Sequence, residues 1–263
     1  VNESFIITND SENSTIDTVY GGNNQGGTTE TTNVTINGGG VNNVYGGGNQ
    51  AVTNLTNVNI NGEVINNVFG GGNQAGVNTN TNVNLNGATV GDNVYGGGNE
   101  GTVTQNTYVI VKNSLLKNSL YAGGNGASAI VYGNVNVTMH GTTNEVTNSV
   151  FGGGNQAATG TEETNNSLST VNIVGGTIGK NVYGGANTSV VYGTTQTNIG
   201  YDAVGDNSLD IGNIHIGGTI FGGGEANASG SEVYDFNFIS VTVAIDIQIN
   251  GNGHSSFAIL GSI

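Results

Sequence analysis

Few side chains in this sequence could do chemistry, and they are unevenly placed. Asp202, Asp206 and Asp210 recur at four-residue intervals through YDAVGDNSLD. Hard carboxylate oxygens gathered in one loop are the ligands that calcium selects. Calcium is therefore the one cofactor the sequence suggests, although the spacing is not that of an EF-hand and solvated loop acids are the simpler reading. Glu162 and Glu163 stand side by side in AATGTEETNNSL. A glycoside hydrolase needs two carboxylates about 5 to 10 Å apart across a groove, whereas adjacent loop residues usually both face water. Aligned on the Gly that ends the preceding strand, His140 is level with Asn86 and His215 lies one strand position earlier, so the two fall in different outward columns and zinc is not expected. Cysteine chemistry is excluded outright, because the chain has no Cys.

Charge narrows the field further. The only cations are Lys112, Lys117 and Lys180, against 18 Asp and Glu, for a formal charge of −15. Such a chain repels phosphate backbones and anionic surfaces, so neither nucleic acid nor direct membrane insertion is expected. Without Arg, acidic polysaccharides lack the forked donors that hold carboxylates, and a lyase lacks its cationic base. No apolar run is long enough for a membrane helix, and no basic stretch precedes an apolar segment. A chain that starts at Val1 reads as a processed or excised piece, with any targeting or anchoring signal outside it.

These residues sit on a repeat. VYGGGN or a close variant places an aromatic at Tyr20, Tyr45, Phe69, Tyr95, Tyr121, Phe151, Tyr183 and Phe221, at intervals of 25, 24, 26, 26, 30, 32 and 38 residues. Upstream of the aromatic come TNVTING, TNVNING and TNVNLNG, which alternate polar and apolar residues as a half-buried strand does. A third apolar point stands four or five residues before the aromatic, at Val41, Ile65, Val90, Leu116, Val146 and Ile178. Gly, Asn and Thr are poor helix formers, and no 3.6-residue stripe runs through them. The expectation is an all-β, single-stranded, right-handed parallel β-helix, a β-solenoid of about eight to nine rungs with about three short strands in each. Residues 1–230 form the repeat domain, and 231–263 form its last rung or a C-terminal cap.

The alternation also predicts a surface. With Val and Ile inward, Asn33, Thr35 and Asn37, then Asn57, Asn59 and Asn61, then Asn82, Asn84 and Asn86 point outward as a grid of hydroxyls and amides. Such a lattice can hydrogen-bond sugar hydroxyls, or solvate a sheet and keep it from aggregating. The next rung breaks it with Tyr108, Ile110 and Lys112. The aromatic column reads as stacked rings with a dispensable hydroxyl, because Phe replaces Tyr three times. The Gly triplets read as turns that need positive φ, and the Asn after each triplet as an amide stacked on its copy in the next rung. Insertions at 157–168 and 201–210 are expected to line a binding face, with Tyr201 among the contacts.

The units, GGTIGKNVYGGAN at 175–187 among them, resemble the Gly/Asn-rich repeats of bacterial cell-surface adhesin-like proteins over about residues 15–225. The resemblance implies a β-solenoid presented outside the cell as part of a larger anchored protein. It carries no ligand and no catalytic residue. The function expected is a non-enzymatic adhesive or spacer module, monomeric in isolation, that contacts glycan or host matrix. The alternatives are a carbohydrate-active β-helix acting on a neutral polysaccharide and an ice-binding solenoid.

Overall fold

The structure is a computed structural model. It describes residues 1–8, 15–38, 40–64, 66–200 and 212–225, and the course of the backbone over 238–249 and 253–261. The described residues are all-β, with parallel strands stacked as a β-solenoid of about seven turns. None of them forms a helix long and apolar enough to cross a membrane.

One turn shows how the sequence is used. The long strand Thr81–Asn86 alternates buried and outward residues and ends at Gly87. A middle strand follows at Thr89–Val90, then an aromatic strand at Val94–Tyr95. After Gly96, Gly97 and Gly98, Val103 makes a single bridge to Val77 below and Val131 above, and the next long strand begins at Thr107. The long strands build a ten-stranded sheet, and the middle and aromatic strands a fourteen-stranded one. At one edge of the long sheet Asn2–Ile7 pairs parallel with Thr29–Ile36. At the other, Phe238–Ile249 pairs parallel with Gly193–Ile199, and Gly253–Gly261 returns antiparallel to it.

Five inward columns fill the interior. Val83 and Leu85 come from the long strand, Val90 from the middle strand, Val94 from the aromatic strand and Val103 from the bridge, and all are buried, as are their counterparts in neighbouring turns. A fully buried Val or Leu contributes about 1.5–3 kcal/mol, so a narrow core repeated along the rod suffices. In the middle column Val64, not Ile65, pairs between Val41 and Val90. Ile65 itself lies outside the described residues.

The Gly triplets differ from expectation. None of their described residues has positive φ. Gly is required there because the coils approach too closely for a side chain. A Cβ on Gly46, Gly70 or Gly96 would collide with the carbonyl oxygen of Gly70, Gly96 or Ala122 in the next turn, and with a methyl of the inward Val58, Val83 or Val109. Positive φ falls instead at the end of the long strand, at Gly87 (68°), Asn113 (49°) and Gly141 (104°). These three residues occupy the same place in successive turns, and Asn is the side chain that best tolerates it.

An inward hydroxyl pins the same close approach. Thr32, Thr56, Thr81 and Thr107 donate through Oγ1 to the carbonyls of Gly46, Gly70, Gly96 and Ala122 at 2.6–2.7 Å, and Ser169 donates to Gly184 at 2.6 Å. Between Thr107 and Ser169 the register places Val135, which has no hydroxyl for the Gly152 carbonyl. The turn below it is the one that carries Ala122 where the column otherwise has Gly. The two exceptions meet at one carbonyl: Val135 stands where the column elsewhere supplies a hydroxyl donor for it, and Ala122 where the column elsewhere has the Gly that clears it.

Two sets of variants test these assignments by denaturant unfolding. Gly96→Ala should cost about 3 kcal/mol or more, because backbone must move, and Gly87→Ala only about 1 kcal/mol, because its Cβ would meet open space and only φ is strained. Val135→Thr and Ala122→Gly should be coupled, the double variant exceeding the sum of the singles by about 1 kcal/mol in stability.

Candidate functional site

The outer face of the long sheet in its first turns is made of amides that bond to one another along the rod. Asn57 donates through Nδ2 to Asn33 Oδ1 at 3.0 Å, and Asn82 to Asn57 at 3.0 Å. Beside this column Asn84 donates to Asn59 at 3.2 Å, and Asn61 donates to Asn37 at 2.9 Å. The grid of Asn57, Asn59, Asn61, Asn82, Asn84 and Asn86 is thus brought together on one face, partly exposed at its centre and exposed at Asn61 and Asn86. Asn57 and Asn82 also turn Nδ2 to the Thr32 and Thr56 carbonyls at 3.4 Å, so what the column leaves open is acceptor capacity on its oxygens.

The face changes along the rod. Tyr108 pairs with Asn82 below and Asn136 above, and Ile110 with Asn84 and Thr138. Both are exposed, at 39% and 41%. Further on, the outward positions Thr170, Asn172 and Asn198 are buried, the last at 2%, and Asn198 donates to Asn172 at 2.7 Å. His140 is level with Asn86 through Lys112, as expected, but it is also buried, at 8%. The outward direction of alternation fixes which sheet face a residue takes and not whether that face meets water. His215 pairs with Thr177 in the middle column, so it lies in the other sheet altogether.

The aromatic column is structural. Tyr20, Tyr45, Phe69, Tyr95, Tyr121, Phe151, Tyr183 and Phe221 stack with ring centroids 4.7–4.9 Å apart and planes within 16° of parallel. The six from Tyr45 to Tyr183 are buried as a cluster distinct from the main core. Their faces are occupied by one another, which leaves no ring face for a sugar. Beside them runs the amide ladder of the triplet Asn: Asn49, Asn73, Asn99, Asn125, Asn155 and Asn187 each donate to the preceding copy at 2.7–2.9 Å, down to Asn24.

The acids hold places that the sequence reading missed. Glu30 accepts from Asn54 Nδ2 at 2.7 Å, and Asn54 from Asn78 at 2.7 Å. Asp92 accepts from Asn118 at 2.7 Å, and Asn118 from Asn148 at 3.0 Å. Asp17 accepts from Asn42 at 3.1 Å. Each carboxylate is the acceptor at which a run of amide bonds starts, Asp92 within the column that begins at Asp17, and the signal available in the sequence was an acid one repeat before an Asn in the same register. Glu162 and Glu163 are exposed in a turn held by Thr161 and Thr164, whose hydroxyl oxygens lie 3.0 Å apart. Among the described residues no three His, Asp or Glu come close enough to hold a metal ion. Tyr201, Asp202, Asp206 and Asp210 lie outside the described residues.

No family model, curated protein or solved structure matches the chain.

Burial raises the tyrosine hydroxyls of the stack. Tyr45 is pushed up to about 12 from an ordinary 10.0, mainly by desolvation and then by Tyr20 beside it. Tyr95 is raised further, by burial first and then by Tyr121 and Asp92. The neutral phenol is thus favoured in the folded state, so the contribution is complete below pH 10 and is lost as the pH climbs from 10 toward 12. Alkaline titration followed by circular dichroism and tyrosinate absorbance should show unfolding in that window. Tyr45→Phe, a change the column already accommodates at Phe69 and Phe151, should move the midpoint to higher pH.

Proposed function

We propose that this chain is a non-enzymatic, extracellular adhesive or spacer module of a bacterial surface protein of the Gly/Asn-rich repeat kind. In this reading it is a right-handed rod of eight to nine rungs within a larger anchored protein, the repeat domain over 1–230 and the last rung or cap over 231–263. It contacts glycan or host matrix through its amide-bearing face. One observation carries the reading: the columns through Asn57 and Asn82 and through Asn59 and Asn84 are tied together along the rod on a partly exposed face, and each of their oxygens takes at most one amide donor and so keeps acceptor capacity. A fixed row of acceptors, repeated at the strand spacing of about 4.8 Å, suits a polymer rich in neutral hydroxyls. Because the amides are held before any ligand arrives, little side-chain ordering remains for binding to pay. The charge of −15 favours neutral ligands over sulfated, carboxylated or nucleic-acid ones.

Incubation of the purified chain with neutral and acidic polysaccharides, with and without calcium, should retain protein on neutral polymers and release no soluble sugar. Released product would overturn the non-enzymatic reading. Binding that needs calcium would move the contact to Asp202, Asp206 and Asp210.

A further inference from the structure

The two outer amide columns stop together at one place. Asn82 and Asn84 donate downward, to Asn57 and Asn59, so the oxygen of each faces the following turn. In that turn the register supplies Tyr108 and Ile110 in place of amides. Neither has an N–H to offer, and among the described residues no hydrogen bond reaches Asn82 Oδ1 or Asn84 Oδ1. The Tyr108 ring is itself held, because Asn106 Nδ2 donates to its hydroxyl at 3.2 Å. Above it, Asn136 turns its Nδ2 to the Thr107 carbonyl at 3.3 Å, and Thr138 accepts from Asn172 at 3.3 Å, which leaves the Thr138 O–H as a donor.

We infer that Tyr108 and Ile110 form a sugar-stacking platform on the rod, at which a neutral glycan lays the C–H face of one pyranose ring on the two side chains and hydrogen-bonds its hydroxyls to Asn82 Oδ1, Asn84 Oδ1 and the Thr138 hydroxyl. This rests on the adhesive reading and names the place where its ligand sits. The two open groups below the platform are acceptors, which bind hydroxyl donors and repel carboxylate or sulfate; Lys112 on the same strand is one cation against a chain charge of −15. Tyr108 and Ile110 put an exposed apolar patch where the turns below carry Asn and the turn above Asn and Thr, while their inward partners Val109 and Val111 fill the core. The platform with the residues above and below it spans three turns, about 10 Å at the strand spacing, which is room for about two sugar units.

The experiment compares the wild-type chain with Tyr108→Asn/Ile110→Asn, which would continue both amide columns through this turn and so should fold at least as stably. Binding of neutral oligosaccharides is measured by titration calorimetry and by the perturbation of Tyr108 resonances. The wild type should bind a neutral oligosaccharide and the double variant should bind it at least about tenfold more weakly, with Tyr108→Ala intermediate or equal to it. Equal binding by wild type and double variant would overturn the platform while leaving the adhesive reading in place. If the wild type binds no neutral glycan, the platform and the glycan-contacting reading both fail. Concentration-dependent self-association that the double variant abolishes, without glycan binding, would assign the patch to contact between copies of the chain and overturn the proposal.

Discussion

Every column of this molecule must stack on itself at the spacing of a parallel β-sheet. The ring centroids, 4.7–4.9 Å apart, record that spacing directly. A residue type survives in a column only if it is compatible with a copy of itself at that distance. Val, Leu and Ile satisfy this by packing, flat rings by stacking, and Asn by donating with one end of its amide and accepting with the other. Gly meets a harsher version where the chain leaves the aromatic strand, because the carbonyl of the next turn occupies the place of a Cβ. The Thr hydroxyl that ties down this carbonyl is therefore part of the same constraint. The exceptions Val135 and Ala122 fall at the same Gly152 carbonyl.

The polarity of the amide columns organises the polar residues. In the Asn columns the N–H comes from the later turn and the oxygen from the earlier one, from Asn49 onto Asn24 up to Asn187 onto Asn155. A carboxylate can only accept, so it fits where a run of side-chain bonds begins. Glu30 and Asp17 begin such runs, and Asp92, three turns above Asp17 in the same column, follows Asn42 and Asn66 and starts a new run through Asn118 and Asn148. The other end of a column leaves an oxygen without an amide above it, and Asn82 and Asn84 are such ends where they meet Tyr108 and Ile110. Which hydrogen-bonding groups an Asn on this rod leaves open thus depends on its position in a column and not on residue type.

What the sequence disclosed follows from the same rule. The solenoid, the aromatic stack, the triplet Asn ladder and the inward Val and Ile columns repeat with the period, and a repeated residue at a fixed place has few explanations other than contact with its copy. Features with two local explanations were harder to read. Gly answers equally to positive φ and to close approach, and only the distance to the next coil separates them. In EVINNVF both Val64 and Ile65 could point inward. The four-residue step from the middle column to the aromatic strand, seen between Val90 and Val94 and between Leu116 and Leu120, selects Val64, whereas the spacing of Val41 to Tyr45 had suggested Ile65. The burial of His140, Asn172 and Asn198 could not be read from alternation, which assigns a face and says nothing of what covers it. The acceptor role of the acids needed the register of one turn on the next.

The low charge content follows from the spacing as well. Two like charges about 4.8 Å apart repel by about 0.9 kcal/mol in water and about 3.5 kcal/mol at an effective dielectric of about 20. A column of Asp in place of Asn would incur this at each step, and seven turns of it would exceed the whole stability of an ordinary domain. Among the described columns the acids accordingly have no acid in the adjacent turn: Glu30 is followed by Asn54, Asp92 by Asn118, and Glu145 lies between Leu115 and Thr177. Amides give the same hydrogen-bonding surface without the repulsion, which is why a rod of this kind is coated with Asn and keeps its negative charge dispersed. The arithmetic that forbids acid columns also bears on ligands. An anion laid along the amide face would face the acceptor oxygens of Asn82 and Asn84 and a field of −15 with Lys112 as the single cation beside them, while a neutral hydroxyl polymer would not be repelled.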